Sequence, residues 1–512
     1  MKKTLTFIAA SFLGLNFAFG ASPTALGLAG QSLRKQEYRK ASNQLYKIVF
    51  SSDADANTKM QARYYLGVAL MKLKLYQTAA FPLIINARVA SPKIAQRSFE
   101  KLVLISDNLN DSGLLDYTLK KLDANDLGEI AKELYYNRMG QALMREGKYA
   151  EAVTYLQKSL QIKPDNDETL YTLALVYLKE NKATEALPHL QKLYDKYFSL
   201  PSTNVKRGSA AMAMARGYYQ AKRWEDAVNT YREIPKDHAL YREAQMELAW
   251  SLFRMAKFRS AMSAIQTLHT PFYENFYDPE SLTLRSIILL FACQNSEAEK
   301  ALISFRKNYS SAFTTLSDIN NSDQKPEYFF SQIEESQKYL KALKNGTKPT
   351  YSGQVPFFIV RASMEEPSLK NKLSYFDRIQ QEKNRLAKVF NQPEDAALRK
   401  YALKILNSRQ KNVSAEAGTV LRNSLIAKSK ELALLDGDLD LIGYEVLNAQ
   451  KKEARADYIR TVNNSEGSQI NADDTRDFYV KNGYRYWPFE GEYWRDEIGN
   501  YQYLGVNRCD KE

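Results

Sequence analysis

Apolar and polar positions along most of the chain follow a helical period, and one pattern returns. Residues 133–166 read ELYYNRMGQALMREGKYAEAVTYLQKSLQIKPDN. Large apolar side chains recur there at spacings that line one face of each of two helices. Gly140 and Ala152, twelve positions apart, stand where two antiparallel helices come closest. Pro164 ends the second helix, because it lacks the N–H and disfavours a helical residue before it. The same small-residue pair recurs at the same separation as Ala29/Ala41, Gly67/Ala79, Ala174/Ala186, Ala215/Ala227, Ala249/Ala261 and, more weakly, Ser286/Ala298. Two steps, Gly140 to Ala174 and Ala215 to Ala249, are strictly 34 residues. A degenerate unit fills the register between Ala95 and Leu122. A spacing repeated this often predicts a stack of about eight helical hairpins, ending near residue 308.

Tyr136, Met139, Gly140, Leu143, Ala152, Leu156, Ser159 and Pro164 make this stretch resemble a tetratricopeptide repeat. The resemblance implies hairpins that cannot bury their apolar faces alone and so stack into a superhelix. It also implies a groove lined by the first helix of each unit. Carried onto this sequence, its groove positions are Asn137, Gln141 and Arg145, then Tyr171, Leu175 and Lys179, then Arg216 and Tyr219, then Met246, Trp250 and Arg254. Aromatics, amides and arginines are what protein interfaces favour. The competing reading at each position is packing between neighbouring helices. The lysine and asparagine clamp by which some relatives hold a terminal carboxylate has no match here.

The texture changes after the repeats. Residues 309–366 read as a linker in which SDINNSDQKP and KNGTKPTYSGQVP are loops around one helix over 327–343. Two helical stretches follow, over 367–390 and 415–458. The second carries a heptad-like series: Leu421, Leu425, Leu432, Leu435, Leu439, Ile442 and Val446. Residues 367–460 therefore read as a helical hairpin or short coiled coil, with an intramolecular pair favoured over one made with a partner. Gly437 and Gly443 argue against one unbroken helix. A polar linker then leads to YRYWPFEGEYWRDEIGNYQY, which holds two of the chain's four tryptophans. Pro488, Gly491 and Gly499 exclude a long helix there, and Gly499-Asn500 reads as a hairpin turn. The predicted fold is thus all-α: a superhelical array over 21–308, a helical region, and a mostly non-helical aromatic clasp over 461–512.

Charge and composition narrow the function. Lys2 and Lys3, the apolar stretch over 5–17 and Ala18-Phe19-Gly20 read as an export leader cleaved between Gly20 and Ala21, so a periplasmic protein is expected. The residue directly after that site is Ala21 and not a cysteine, so lipid anchoring is not expected. The net charge of +13 falls to +11 without Lys2 and Lys3, and its basic residues are scattered. That scatter lacks any nucleic-acid fingerprint. His189, His238 and His269 are dispersed, with no companions at metal-ligand spacing. Glu490, Glu492, Asp496 and Glu497 all belong to one short segment, with no partner acid elsewhere for sugar hydrolysis. No enzyme, cofactor or metal is expected.

The clasp residues Trp487, Phe489, Tyr493, Trp494, Tyr501 and Tyr503 leave three arrangements open. They cap or dock on the body, lie in the groove, or present their rings to a glycan or partner. Cys293 and Cys509 are the only cysteines. In an oxidising compartment they allow one intramolecular pair; the alternative is a buried Cys293 with a free surface thiol at Cys509.

With ELAWSLFRMAKFRSAMSAIQTL in the repeats and WPFEGEYWRDEIGNYQ…NRC at the end, the layout resembles the periplasmic tetratricopeptide proteins tied to adventurous gliding motility in gliding and predatory bacteria. That resemblance implies a non-enzymatic component of an envelope assembly. The sequence reading is a periplasmic scaffold binding other envelope proteins. Its alternative is a peptidoglycan- or glycan-binding protein using the aromatic tail.

Overall fold

The computed structural model describes residues 25–462, 493–503 and 505, apart from Ser202, Asn275 and Lys348. The chain divides into two units. One comprises residues 1–138 and 371–413, the other residues 139–370 and 414–512. Every regular element among the described residues is helical.

Helices α1 (Ala25–Arg34) and α2 (Tyr38–Phe50), then α3 (Ala56–Lys72) and α4 (Tyr76–Val89), form the first two hairpins. Helix α5 (Pro92–Leu109) is followed only by a 3-10 turn and the single-turn α6 (Asp116–Leu119), which is the degenerate unit. The later hairpins are α7 (Glu129–Arg145) with α8 (Tyr149–Ile162), α9 (Asp167–Lys179) with α10 (Ala183–Phe198), and α11 (Val205–Gln220) with α12 (Trp224–Arg232). They continue with α13 (Tyr241–Arg254) and α14 (Phe258–Leu268), then α15 (Pro279–Phe291) and α16 (Asn295–Asn320). The small-residue pairs do what their size dictates. Ala41, Ala79, Ala152, Ala174, Ala186, Ala215, Ala227, Ala249, Ala261 and Ala298 have no exposed surface. A Cβ on Gly140 would lie 2.6 Å from Leu156 Cγ, so only glycine lets α8 come this near.

The hairpins also share a turn. Gln36, Lys74, Gly147, Asn181, Lys222, Ala256 and Cys293 all have φ between 51° and 76°, each seven positions beyond its small residue. The next N–H then reaches back to the carbonyl five residues earlier, as Leu75 to Leu70, Lys148 to Leu143 and Gln294 to Leu289 do, each at 2.9 Å. That bond satisfies a carbonyl the ending helix would otherwise leave bare.

The C-terminal region differs from its sequence reading in three places. Helix α16 runs to Asn320, so the first part of the expected linker is helical. Beyond α17 (Pro326–Lys344), a further helix, α18 (Phe357–Glu365), precedes α19 (Pro367–Val389). Helix α20 is one continuous run, Ala396–Val462, that begins well before residue 415 and passes through Gly437 and Gly443. In the first unit, Glu382 of α19 accepts hydrogen bonds from the Gln77 and Thr78 N–H groups and the Thr78 hydroxyl, at 2.8 to 2.9 Å. The same region carries a chain of contacts in which the Tyr375 hydroxyl donates to Gln77 and Arg409 bridges Tyr375 and Asp111. In the second unit, Gly418 passes so near the Pro326 carbonyl that a Cβ would lie 2.0 Å from its oxygen. Leu421, Leu425, Leu432, Leu439 and Val446 of the expected heptad series are at most 1% exposed.

Candidate partner-binding face

The first helices of the second unit present a mixed face. On α9, Tyr171 is 43% exposed, Leu175 is partly exposed and Lys179 is exposed. Arg145 of α7 and Arg254 of α13 are also exposed. Three expected groove residues are not open to a ligand: Asn137, Gln141 and Met246 are buried. Their side chains sit at positions where a first helix turns toward packed neighbours, so helical spacing alone placed them too far round.

Arg216 of α11 reaches α13, where it pairs with Glu243 and Glu247, each at 2.6 Å. The Tyr231 hydroxyl donates to Glu247 at 2.7 Å. Burial works against the Arg216 charge, but Glu247 and Glu243 overcome it and hold the guanidinium firmly protonated. Trp250 of α13 donates its indole N–H to Glu280 of α15 at 2.9 Å and meets Phe253 edge-on. Desolvation pushes the Glu280 carboxyl up against the indole's hydrogen bond. Tyr219 packs edge-on against Trp224, with centroids 4.9 Å apart. Successive first helices are therefore tied by polar bridges, and the exposed surface between the ties is aromatic and charged. Rigid rings held by one polar contact suit recognition of a protein segment.

Residues 143–199 match the tetratricopeptide repeat family. The Photosystem I assembly protein Ycf3 of Synechococcus sp. strain WH7803 is 30% identical over 129 residues, covering 24% of this chain and 73% of the relative. Its counterpart from strain CC9311 matches equally. The chain belongs to the tetratricopeptide-repeat family. Among solved structures, the APC/C hetero-tetramer Cut9–Hcn1 aligns over 80% of this chain and 93% of its own, at 14% identity and a TM-score of 0.22. The TPR domain of P58(IPK) aligns over 76% and 98%, at 14% identity and a TM-score of 0.19. Scores this low add nothing to the assignment.

Two further features of this tetratricopeptide-repeat chain involve its second helices. The first is a cleft of about 380 Å³ lined by Gln157, Leu160, Gln161, Pro164, Leu170, Leu173, His189 and Lys192. His189 stacks on Tyr177, and burial, with Lys192 nearby, keeps its pKa low. Sequence reasoning missed this cleft because it searched only the groove positions of the first helices, and Leu170 and Leu173 face the other way. The second is the tail. Gly499 N–H donates to the Thr267 hydroxyl at 3.2 Å, and Tyr503 N–H to the Ser263 hydroxyl at 2.9 Å. The Tyr503 hydroxyl donates to Gln294 at 2.6 Å, and Lys236 donates to the Asp496 carbonyl. The described tail thus lies on the second helix α14, not on the first-helix face. Gly499 is required there: its φ is +80°, and a Cβ would fall 1.8 Å from the Tyr241 hydroxyl. Arg495–Glu497 is a 3-10 turn, and the turn at Gly499 joins no strands among the described residues. Tyr493 and Tyr501 meet edge-on, while Trp494 is 56% exposed. Trp487, Phe489 and Cys509 lie outside the described residues. Among the described residues no cluster of His, Cys, Asp and Glu is arranged to hold a metal, and no helix is long and apolar enough to cross a membrane.

Proposed function

We propose that this protein is a non-enzymatic scaffold that holds a segment of another envelope protein on the first-helix face around Tyr171 and Trp250. The observation that carries the reading is Trp250 itself, a partly exposed ring fixed by Glu280 beside the Arg216 bridge. Export to the periplasm is part of the proposal and rests on the leader-like residues 1–20. A place in a gliding-motility-type envelope complex rests on the resemblance of the closing aromatic stretch. The test is a cross-linking pull-down from envelope extract. Tyr171→Ala and Trp250→Ala are expected to weaken capture of the main partner by about 30-fold each, the scale of a hot-spot loss near 2 kcal/mol. Helicity by circular dichroism is expected to stay unchanged. Equal capture by both variants would overturn the assignment of this face. Arg216→Ala is the wrong probe, because it strips two glutamates of their counter-charge and acts on stability.

One observation favours a second reading. Trp494 keeps more than half its surface open on a tail otherwise fastened down, and an exposed indole is a ready platform for a sugar ring. Saturable binding to purified cell-wall sacculi that is lost in Trp494→Ala would select this glycan-binding role over the scaffold.

A further inference from the structure

The last part of α20 has two faces of opposite fate. One is packed within the second unit. Leu432, Leu439 and Val446 are 1% exposed, Asp436 and Asp440 pair with Arg306, Gln450 donates to Glu299, and Glu453 accepts from Asn295. The other face is bare. Leu434 is 72% exposed, Leu441 69%, Tyr444 64%, Leu447 62% and Tyr458 71%. Leu434, Leu441, Tyr444 and Tyr458 share one heptad register, and Leu447 flanks it. A Cβ on Gly437, in the same register, would meet nothing within 4 Å. Together they form an apolar strip about 36 Å long at helical rise. Single exposed apolar side chains need no explanation, but a contiguous strip of this length does.

The charges beside the strip say what covers it. Residues 431–448 contain Glu431, Asp436, Asp438, Asp440 and Glu445 and no basic residue. The following turns, residues 449–460, carry Lys451, Lys452, Arg455 and Arg460 against Glu453 and Asp457, a net positive stretch in which Lys451, Lys452 and Arg455 are exposed and Glu453 is held by Asn295. The strip is therefore acidic at its start and basic at its end. Two copies side by side in the same direction would set acid against acid and base against base. Two copies in opposite directions set the net acidic half of each against the net basic half of the other. With Leu447 on the two-fold axis, residue n faces residue 894 − n of the other copy, so Arg455 falls next to its Asp438, Lys451 and Lys452 face its residues 443 and 442, within a turn of its Glu445, and Tyr458 falls next to its Gly437. Glycine there leaves room for the ring.

We propose that this strip is a homodimer interface in which α20 pairs antiparallel with α20 of a second copy. Such a contact is isologous and closes on itself, so it yields a dimer and not a filament. Its charged flanks set the direction of pairing, and its leucines and tyrosines supply the apolar contact.

Sedimentation equilibrium on the full chain tests it. Wild type is expected at twice the chain mass at tens of micromolar, with weaker association as salt rises. Leu441→Glu combined with Leu447→Glu is expected to give the single-chain mass. Both sites are exposed, so helicity should be unchanged. Direction is read by disulfide cross-linking. Leu447→Cys should link to itself in the dimer, and Leu434→Cys should not. A wild type that stays single at all salt concentrations overturns the proposal, whether the strip is covered by the chain's own residues 463–492 or by another protein. So does a dimer that survives the double substitution, and so does self-linking of Leu434→Cys, which marks a parallel pair.

Discussion

At the scale of single residues, His269 shows how the repeat core treats a titratable group. Arg285 donates to its Nδ1 at 3.1 Å, and its Nε2 faces the Ser281 hydroxyl at 2.9 Å. Ser281 in turn donates to the Asp278 carbonyl at 2.7 Å, so Nε2 must carry the imidazole proton. A second ring proton would point at a guanidinium. Burial, then Arg285, pushes the His269 pKa down to about 3. The unfolded chain takes that proton as pH falls through about 6.5, while the folded protein does not. His269 therefore withdraws stability on acidification, by at most about 1.4 kcal/mol per pH unit. Neighbouring Asp278 has the opposite sign. Burial lifts it to about 6, with Arg242 opposing, so the folded state gains its proton first and is favoured as pH falls below that value. Wild type alone would show only the sum. The urea midpoint of His269→Gln, followed from pH 7 to pH 4.5, is expected to fall less steeply than that of wild type. Parallel curves would mean that His269 accepts a proton when folded.

At the scale of elements, the helical hairpins were legible because a 3.6-residue period and a fixed pair of small residues leave few other solutions. What each element is tied to was not legible. Glu382 lies more than three hundred residues from Gln77 and Thr78, yet its carboxyl accepts their N–H groups at the start of α4. Burial pushes its carboxyl up, and the donated hydrogen bonds pull the other way. Glu382→Ala would leave two buried N–H groups bare at a helix N-terminus. It is expected to destabilise the first unit by about 2–3 kcal/mol in urea denaturation. A loss below about 0.5 kcal/mol would show that water replaces the carboxylate. Helix α20 makes the same point. Gly437 and Gly443 each cost about 1 kcal/mol relative to alanine in a helix, which is why the sequence argued for a break. Leu432, Leu439 and Val446, buried on either side of them, outweigh that.

At the scale of the whole molecule, the question is what fastens the C-terminus. Cys293 occupies the left-handed turn of the last hairpin. Tyr503 bonds to its neighbour Gln294, and Cys509 follows six residues later. We propose that Cys509 pairs with Cys293. Non-reducing peptide mapping of protein from the envelope is expected to recover the two cysteine peptides joined. Closing a loop of more than two hundred residues is worth about 5 kcal/mol in the chain-entropy view, so reduction should lower the thermal midpoint. Two free thiols in unreduced protein would refute the pairing and leave the tail held by Ser263, Thr267, Gln294 and Lys236.

The sequence by itself determined the repeat. Gly140, Ala152 and their counterparts set how near two helices come, and that local constraint recurs at every unit. It also marked Tyr171 and Trp250 as surface aromatics, and residues 493–503 as lacking an α-helix. It did not reveal most of the left-handed turn residues: Gly147 and Asn181 favour that conformation, but Gln, Lys, Ala and Cys carry no signal for it, and the bond reaching back five residues imposes it. It put Asn137, Gln141 and Met246 on an open face, where the structure buries them. Only tertiary packing decided which way each helix turned its stripe, that α14 and not the first-helix face receives the tail, and that α20 stays whole with one face bare. Those outcomes depend on side chains hundreds of residues apart meeting in space, which no local period encodes.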